Sequence, residues 1–219
     1  MVWLRTANET LMGALASADL PGHQRLRERI VYALNRCIET QDVDFKQAAA
    51  WSDLKWRIIE TALAMGNLRD GGIIIVGVSQ RNKKWKLNGV PKKFLETYDP
   101  DIVVDQINSY ISPFVDLEIV SIRHDGKTFV AIYVREFAEV PLVCKKNGPQ
   151  GTGLYEGSVY VRPPGLPRST RITNAAQMND LLELAAEKRA RRILAVASRI
   201  GLEPGVAGPN PFDKELEGL

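Results

Sequence analysis

The sequence predicts an α/β protein, α+β in arrangement, in which a single mixed β-sheet is flanked by helices. Three observations lead to this prediction: an apolar run at residues 71–78, two alternating segments around Asp125 and Gly126, and several stretches with apolar residues at helical spacing. Since 45% of the 219 residues are hydrophobic and 25% are charged, the chain has the composition of a protein with an ordinary packed core.

The run at residues 71–78 is the predicted centre of the sheet. It is apolar at nearly every position rather than at every second one, which is typical of a strand buried on both faces. A buried helix is the alternative, but the run is short and is framed by Gly71, Gly72 and Gly77. Because backbone near such glycines can approach a ligand closely, we expect the functional site near Ser79.

Helices are predicted where apolar residues recur at helical spacing, in residues 26–38, 51–65, 101–111 and 178–197. Ser52 and Asp53 supply the residue types that start the second of these helices, and Ile102 is expected to face inward in the third. The fourth is a long C-terminal helix. Its apolar side is a candidate dimer surface, although packing on its own domain explains that side equally well.

Shorter segments predict the remaining strands. Residues 43–46 alternate between apolar and polar, which indicates a half-buried strand. Residues 117–122 and 129–135 alternate on either side of Asp125 and Gly126, the pair that a two-residue hairpin turn prefers. Residues 158–162 predict one more short strand. Residues 140–144 are either an edge strand or an extended connection, because Pro141 cannot donate a ladder hydrogen bond.

Charge and cysteine content narrow the classes of function. The formal net charge is only +3, but residues 71–95 contain no acid and accumulate arginine and lysine. This basic loop is either a solvated surface or a patch that faces phosphate. The two cysteines and two histidines are not clustered, so we expect neither a disulfide framework nor a zinc site, and a reducing cytoplasm is the expected compartment. No apolar run reaches the length that a membrane span needs.

Two side chains of the strand at residues 43–46 are candidates for chemistry. Asp44 and Lys46 share one face, about 7 Å apart, and Glu39 lies in the approach to the strand. Carboxylates beside a lysine can hold a divalent ion and a phosphate. An ion pair on a solvated face is the simpler interpretation, and spacing alone favours it.

These residues together resemble a known family, the Schlafen-type divergent Alba domain. The resemblance rests on Glu39 five positions before Asp44, on the helix that ends at Asn67, on the run at 71–78, and on the strand at 158–162. It divides the chain into an N-terminal helical extension (1–38), the domain itself (39–184), a continuation of the C-terminal helix (185–202) and a flexible tail (203–219). It implies a mixed sheet flanked by helices and a role in binding nucleic acid.

In the nuclease branch of that family, the resemblance further implies cleavage of transfer or ribosomal RNA by three carboxylates and a metal ion. Glu39 and Asp44 stand at the first two acidic positions, as catalytic and metal-binding candidates, and Lys46 stands at the lysine that follows. The third acid is missing, because Ser79 and Gln80 occupy its place. Loss of that charge weakens a site for Mg²⁺ or Mn²⁺, the ions that carboxylates suit.

Three functions therefore stay open. The first is binding of RNA or DNA without strong catalysis, as a bacterial regulator or a subunit of a defence system. The others are a metal-dependent endoribonuclease acting on tRNA-like RNA, and a scaffold subunit of a larger complex.

A homodimer is expected, because the family's eukaryotic members pair two such units across a groove. The sequence contains no phosphate-loop motif, so it gives no indication of nucleotide binding. The expected nucleic-acid-binding residues are Arg81, Lys83, Lys84, Lys86, Lys92, Lys93, Lys145, Lys146 and Arg162.

Overall fold

The structure, a computed structural model, describes residues 21–82 and 84–201, with side chains from Gln24 onward. The predicted flexible tail (203–219) and residues 1–20 of the predicted N-terminal extension therefore lie outside the described residues. The helices are α1 (Pro21–Arg36), α2 (Trp51–Gly66), α3 (Lys92–Leu95), α4 (Pro100–Asn108) and α5 (Ala175–Arg199). The strands are β1 (Val43–Lys46), β2 (Gly72–Val76), β3 (Val78–Arg81), β4 (Lys84–Leu87), β5 (Ile111–Ser112), β6 (Leu117–His124), β7 (Lys127–Val134), β8 (Val143–Cys144), β9 (Tyr160–Val161) and β10 (Thr170–Arg171).

A four-stranded mixed sheet in the order β1-β2-β7-β6 forms the centre of the fold. Strands β1 and β2 are parallel, and the other neighbours are antiparallel. Three two-stranded ladders, β3–β4, β5–β8 and β9–β10, lie beside it. The predictions of a mixed sheet flanked by helices and of a long C-terminal helix are thus confirmed.

Strand β2 lies between β1 and β7, and all five of its residues are buried. Its side chains alternate between two hydrophobic clusters, one on each face of the sheet. Ile74 and Val76 join the larger cluster with α2 and α4, whereas Ile73 and Ile75 join the smaller one with α1. The apolar run is continuous because both faces of this strand are covered by helices.

Helix α2 differs from its prediction at one end and agrees at the other. It begins at Trp51, the first residue of the predicted range, but the preceding Ala50 provides no side-chain cap, so the assignment of Ser52 and Asp53 as the residues that start the helix is wrong. The Trp51 amide donates instead to the Thr97 hydroxyl, 2.9 Å away. The helix ends at Gly66, within one residue of its predicted end, and the Asn67 amide then donates back to the Met65 carbonyl oxygen.

Two further expectations are corrected. The segment treated as a basic loop contains a β-hairpin, β3–β4, in which Ser79 pairs with Lys86 and Gln80 with Trp85. Ile102 is 51% exposed on α4 rather than buried.

None of the helices in the described part of the chain has the length and apolar composition needed to span a membrane.

Helix α5 buries its apolar side only near its beginning. Leu181 and Leu184 are its buried residues. The second half of the helix and the residue after it leave apolar side chains exposed, namely Ile193, Leu194, Val196 and Ile200. Packing on its own domain therefore accounts for Leu181 and Leu184, whereas Met178 and Leu182 in the first half are exposed as well.

Candidate functional site

The structure brings three of the predicted site residues into one buried group. Asp44 and Lys46 point to the same face of β1, as expected, and their carboxylate and ammonium groups are in contact. The Arg162 guanidinium donates to the other Asp44 oxygen over 3.2 Å, from Nη1 to Oδ1. Each carboxylate oxygen of Asp44 therefore contacts a cation. We call Asp44, Lys46 and Arg162 the ion triad.

Arg162 anchors this triad from the segment after β9. Its side chain is 0% exposed, and its Nη2 donates to the Thr40 carbonyl oxygen over 3.2 Å. The Gln41 side chain donates to the Arg162 carbonyl oxygen in turn. The expectation that Arg162 contacts phosphate at the surface does not fit this position, because its charge is directed inward to Asp44.

Glu39 lies beside the triad but outside it. Its Oε1 accepts the backbone N–H of Phe45 over 3.0 Å, so it holds the backbone of β1 in place. Burial is the main cause that raises the pKa of Glu39, and the hydrogen bond from Phe45 opposes that rise. Asp44, Lys46 and Arg162 all act electrostatically on this carboxylate, so the four side chains form one electrostatic unit.

Sequence reasoning missed a third carboxylate, Glu60 on α2. Burial raises its pKa, the Lys46 charge lowers it, and the Asp44 charge raises it further. A Cβ atom built on Gly153 would lie 3.9 Å from the Glu60 carboxylate, so that loop passes close to it. One signal in the sequence could have identified it. Glu60 is the single acid in a segment of α2, Ile58 to Gly66, whose other residues are all buried.

These carboxylates do not fit a divalent metal ion as they are arranged. In residues 21–82 and 84–201, no group of three or more His, Cys, Asp or Glu side chains is positioned to hold one. Both Asp44 oxygens contact cations, so a metal ion at Asp44 would face two positive charges. Ser79 and Gln80 are on the β3–β4 hairpin, where Ser79 accepts a hydrogen bond from Asn88 over 2.6 Å.

The raised pKa of Glu60 leads to a prediction about stability. Its unfolded pKa is the ordinary value near 4.5 and its folded pKa is higher. Between those two values the folded state binds more protons, so stability falls as the pH rises through this window. Glu60→Gln removes the penalty, and we expect a higher free energy of unfolding than wild type at pH 7 and no gain below pH 4.5. Urea denaturation at both pH values measures this difference.

Glu96→Gln is the matched control for that prediction, because Glu96 is exposed. The control should change the free energy of unfolding by less than about 0.5 kcal/mol at either pH. A Glu60→Gln variant that is less stable than wild type at pH 7 would mean that attraction to Lys46 outweighs the cost of burial.

The β3–β4 hairpin carries the second candidate feature, a cationic face. Val78, Leu87 and Trp85 pack against the smaller core cluster, and Trp85 meets Phe45 edge to face at 5.2 Å. The alternation of side chains then directs the opposite face outward. That face holds Arg81, Lys84 and Lys86, all exposed.

Lys127, which sequence reasoning did not select, lies at the base of this hairpin. Its ammonium group donates to the Leu87 carbonyl oxygen over 2.5 Å. Lys92 and Lys93 follow on α3, and both are exposed. Lys83, between Asn82 and Lys84 in the sequence, lies outside the described residues. We call Arg81, Lys84 and Lys86 the cationic face.

Lys145 and Lys146, the last predicted cations, are exposed in a different part of the fold, just after β8. The Lys145 amide donates to the Tyr110 carbonyl oxygen over 2.8 Å, and the Lys146 ammonium lies 4.2 Å from the centre of the Tyr110 ring. These lysines therefore flank an aromatic side chain rather than the hairpin.

Comparison with solved structures finds similar chains at low overall similarity. One is the crystal structure of the DIP2311 protein from Corynebacterium diphtheriae, with 19% identity and a TM-score of 0.46. The match covers 70% of this chain but only 28% of that one. Another is the solution NMR structure of the N-terminal domain of a putative ATP-dependent DNA helicase RecG-related protein from Nitrosomonas europaea. That match has 26% identity and a TM-score of 0.40, and it covers 58% of this chain and 85% of that one.

Since both TM-scores are below 0.5, neither similarity carries functional weight. No curated protein sequence matches this chain. The family comparison is more informative, because the model described as Schlafen, AlbA_2 matches residues 39–165. The match begins at Glu39, includes the ion triad and the cationic face, and covers more than half of the chain. The chain therefore belongs to the Schlafen AlbA_2 family.

Proposed function

We propose that this protein binds nucleic acid through its phosphate groups and does not cut it. The observation that carries the proposal is the cationic face of the β3–β4 hairpin, which is exposed on one side and held by core packing on the other. Membership of the Schlafen AlbA_2 family supports a nucleic-acid-related role. Phosphate contacts supply most of the affinity in such complexes, so a fixed set of exposed cations is the relevant feature.

The geometry of the hairpin supports contact with successive phosphates. Lys84 and Lys86 are two residues apart on one strand, which separates their Cα atoms by about 7 Å. Arg81 pairs directly with Lys84 across the hairpin, so three cations share one surface. Trp85, on the inner side of the hairpin, packs against Phe45. This contact fixes the orientation of the hairpin, so the three cations stay directed outward.

The neighbouring acid does not neutralise this region. Glu96 is the first acid after Asp70 in the sequence, and its carboxylate lies 3.9 Å from the Lys92 ammonium. Both side chains are highly exposed, and an exposed pair of this kind contributes only about 0–1 kcal/mol. A phosphate group can therefore replace Glu96 as the partner of Lys92 at small cost.

The ion triad is the reason for proposing binding without cleavage. Asp44 is committed to Lys46 and Arg162, and the third acidic position holds Ser79 and Gln80. The carboxylates then act within the fold rather than on a substrate: Glu39 braces β1 and Asp44 fixes the segment after β9. The roles of regulator, defence-system subunit or scaffold stay predictions from the sequence. So does the homodimer, for which the exposed second half of α5 is the surface to examine.

A triple substitution tests the proposal. We expect Arg81→Ala, Lys84→Ala and Lys86→Ala together to weaken binding at 50 mM salt by about tenfold or more, and to make the slope of log affinity against log salt shallower by about 3. Fluorescence anisotropy with labelled tRNA, duplex DNA and single-stranded oligonucleotides measures both quantities. Absence of binding by the wild-type chain to all three ligands at low salt would overturn the proposal.

The matched control removes the same charge elsewhere. Arg189, Arg191 and Arg199 are exposed on α5, so their replacement by alanine changes the net charge equally. That variant should keep an affinity within about threefold of wild type, because the mere change in net charge has a small effect compared with lost phosphate contacts. Equal losses of affinity in the two variants would mean that binding depends on the overall charge of the protein and not on the hairpin.

A further inference from the structure

Two aromatic rings and two lysines form a cluster that neither the ion triad nor the cationic face includes. Trp56 on α2 and Tyr110 after α4 meet edge to face, with ring centres 5.3 Å apart and planes at 83°. The Lys55 ammonium lies 4.5 Å from the centre of the Trp56 ring. Lys146 has the corresponding position over Tyr110, at 4.2 Å. We call these four residues the aromatic platform.

The backbone holds both rings in place. Trp56 belongs to the second turn of α2, and Tyr110 is fixed on both sides, because its amide donates to Ile107 and its carbonyl oxygen accepts from Lys145. Both rings are half-buried and pack against the larger core cluster. Rings that are already ordered lose little conformational freedom when a ligand stacks on them, which favours binding.

The lysines reveal which ring surfaces are open. An ammonium group over a ring occupies a face that the core does not cover, and each residue keeps part of its surface accessible to solvent. A lysine–aromatic contact at an exposed site is weaker than the stacking of a nucleic-acid base on an aromatic side chain. A base can therefore displace the lysine, and the freed ammonium stays beside the ring, where it can contact the phosphate of the same nucleotide.

We propose that the aromatic platform stacks unpaired bases, so the ligand of this protein is a single strand or an unpaired loop. The proposal rests on the proposed function and names its ligand class. Bases within a duplex are stacked on one another and offer only their edges in the grooves, whereas unpaired bases offer a full ring face. The cationic face would bind the phosphates of either form, so the preference between them must come from the platform.

The test compares a 20-nucleotide oligothymidine with a duplex of the same length. Wild type should bind the single strand more tightly. Trp56→Leu and Tyr110→Leu keep an apolar side chain but remove the ring, and each should weaken single-strand binding by about tenfold. Neither should change duplex binding by more than about twofold. Trp56→Phe retains a ring and should restore most of the affinity.

Tryptophan fluorescence keeps the test decisive if a leucine variant fails to fold. Oligothymidine should quench the wild-type emission, and Trp56→Phe should lose most of that quenching while its affinity is retained. Trp85→Phe is the control, since Trp85 lies on the inner side of the hairpin and its replacement should leave the quenching in place.

Three results would overturn the proposal. Equal affinity of wild type for single strand and duplex would do so while leaving the proposed function intact. Quenching that persists unchanged in Trp56→Phe would likewise leave the proposed function intact, but it would contradict the stacking of bases on the aromatic platform. Absence of binding to either ligand would remove the proposed function, and the platform proposal would fall with it.

Discussion

Replacing Arg162 with methionine is expected to lower the free energy of unfolding by about 3 kcal/mol. The guanidinium is fully buried and contacts a carboxylate, Asp44, that is itself almost fully buried. Removing the arginine leaves the buried Asp44 carboxylate with one cationic partner, Lys46, where the folded protein provides two. We expect a loss at the lower end of the range for broken buried pairs because Lys46 still contacts Asp44 in the variant.

Urea denaturation of Arg162→Met and of an exposed control measures this effect. Arg135 also contacts a carboxylate, with its Nε 2.8 Å from the Asp116 Oδ2 atom, but both side chains are more than half exposed. Arg135→Met should therefore cost no more than about 1 kcal/mol. Addition of Asp44→Asn to Arg162→Met should recover part of the loss, since it removes the stranded charge. Equal losses of unfolding free energy in the two methionine variants would show that the buried ion triad stabilises the fold no more than an exposed ion pair does.

Replacing Asn67 with leucine is the second large effect, an expected loss of at least about 3 kcal/mol. The Asn67 side chain makes three hydrogen bonds in the core. Its Nδ2 donates to the carbonyl oxygens of Leu142 and Tyr160 over 2.9 and 3.0 Å. Its Oδ1 accepts the Leu142 amide over 2.7 Å. A leucine side chain offers no replacement, so three buried backbone groups would lose their partners.

Asn147→Leu provides the control for this prediction. Asn147 is exposed and its side chain accepts one backbone hydrogen bond, from the Glu156 amide over 3.0 Å. Water can satisfy that amide in the variant, so a loss of no more than about 1 kcal/mol is expected. Comparable midpoints of thermal unfolding for the two variants would contradict the role assigned to Asn67.

The elements that the sequence predicts well are those whose signal is local. Strand β2 is recognisable because both of its faces are covered, which requires an unbroken apolar run. The hairpin of β6 and β7 is recognisable because Asp125 and Gly126 suit its two-residue turn, and both residues have positive φ. The β3–β4 hairpin was missed because its two strands have four residues each and its outward side chains are all charged or polar.

The candidate site is less predictable than the fold because its contacts join distant parts of the chain. The shared face of Asp44 and Lys46 follows from the alternation of one strand, and it was predicted. The role of Arg162 depends on where β9 returns to the sheet, and no local pattern encodes that position. Glu60 was missed for the same reason: only the packing of α2 on the sheet brings it near Lys46.

The separation of 118 residues between Asp44 and Arg162 has a consequence for the order of assembly during synthesis. Strand β1 leaves the ribosome long before Arg162 does, since translation adds about 5–20 residues per second. Until then, the Asp44 carboxylate has only Lys46 as a cationic partner, and burying it is unfavourable. Docking of β9 closes a long loop, which makes such contacts slow to form. The amino-terminal half of the sheet is therefore expected to stay incompletely packed until most of the polypeptide has been translated.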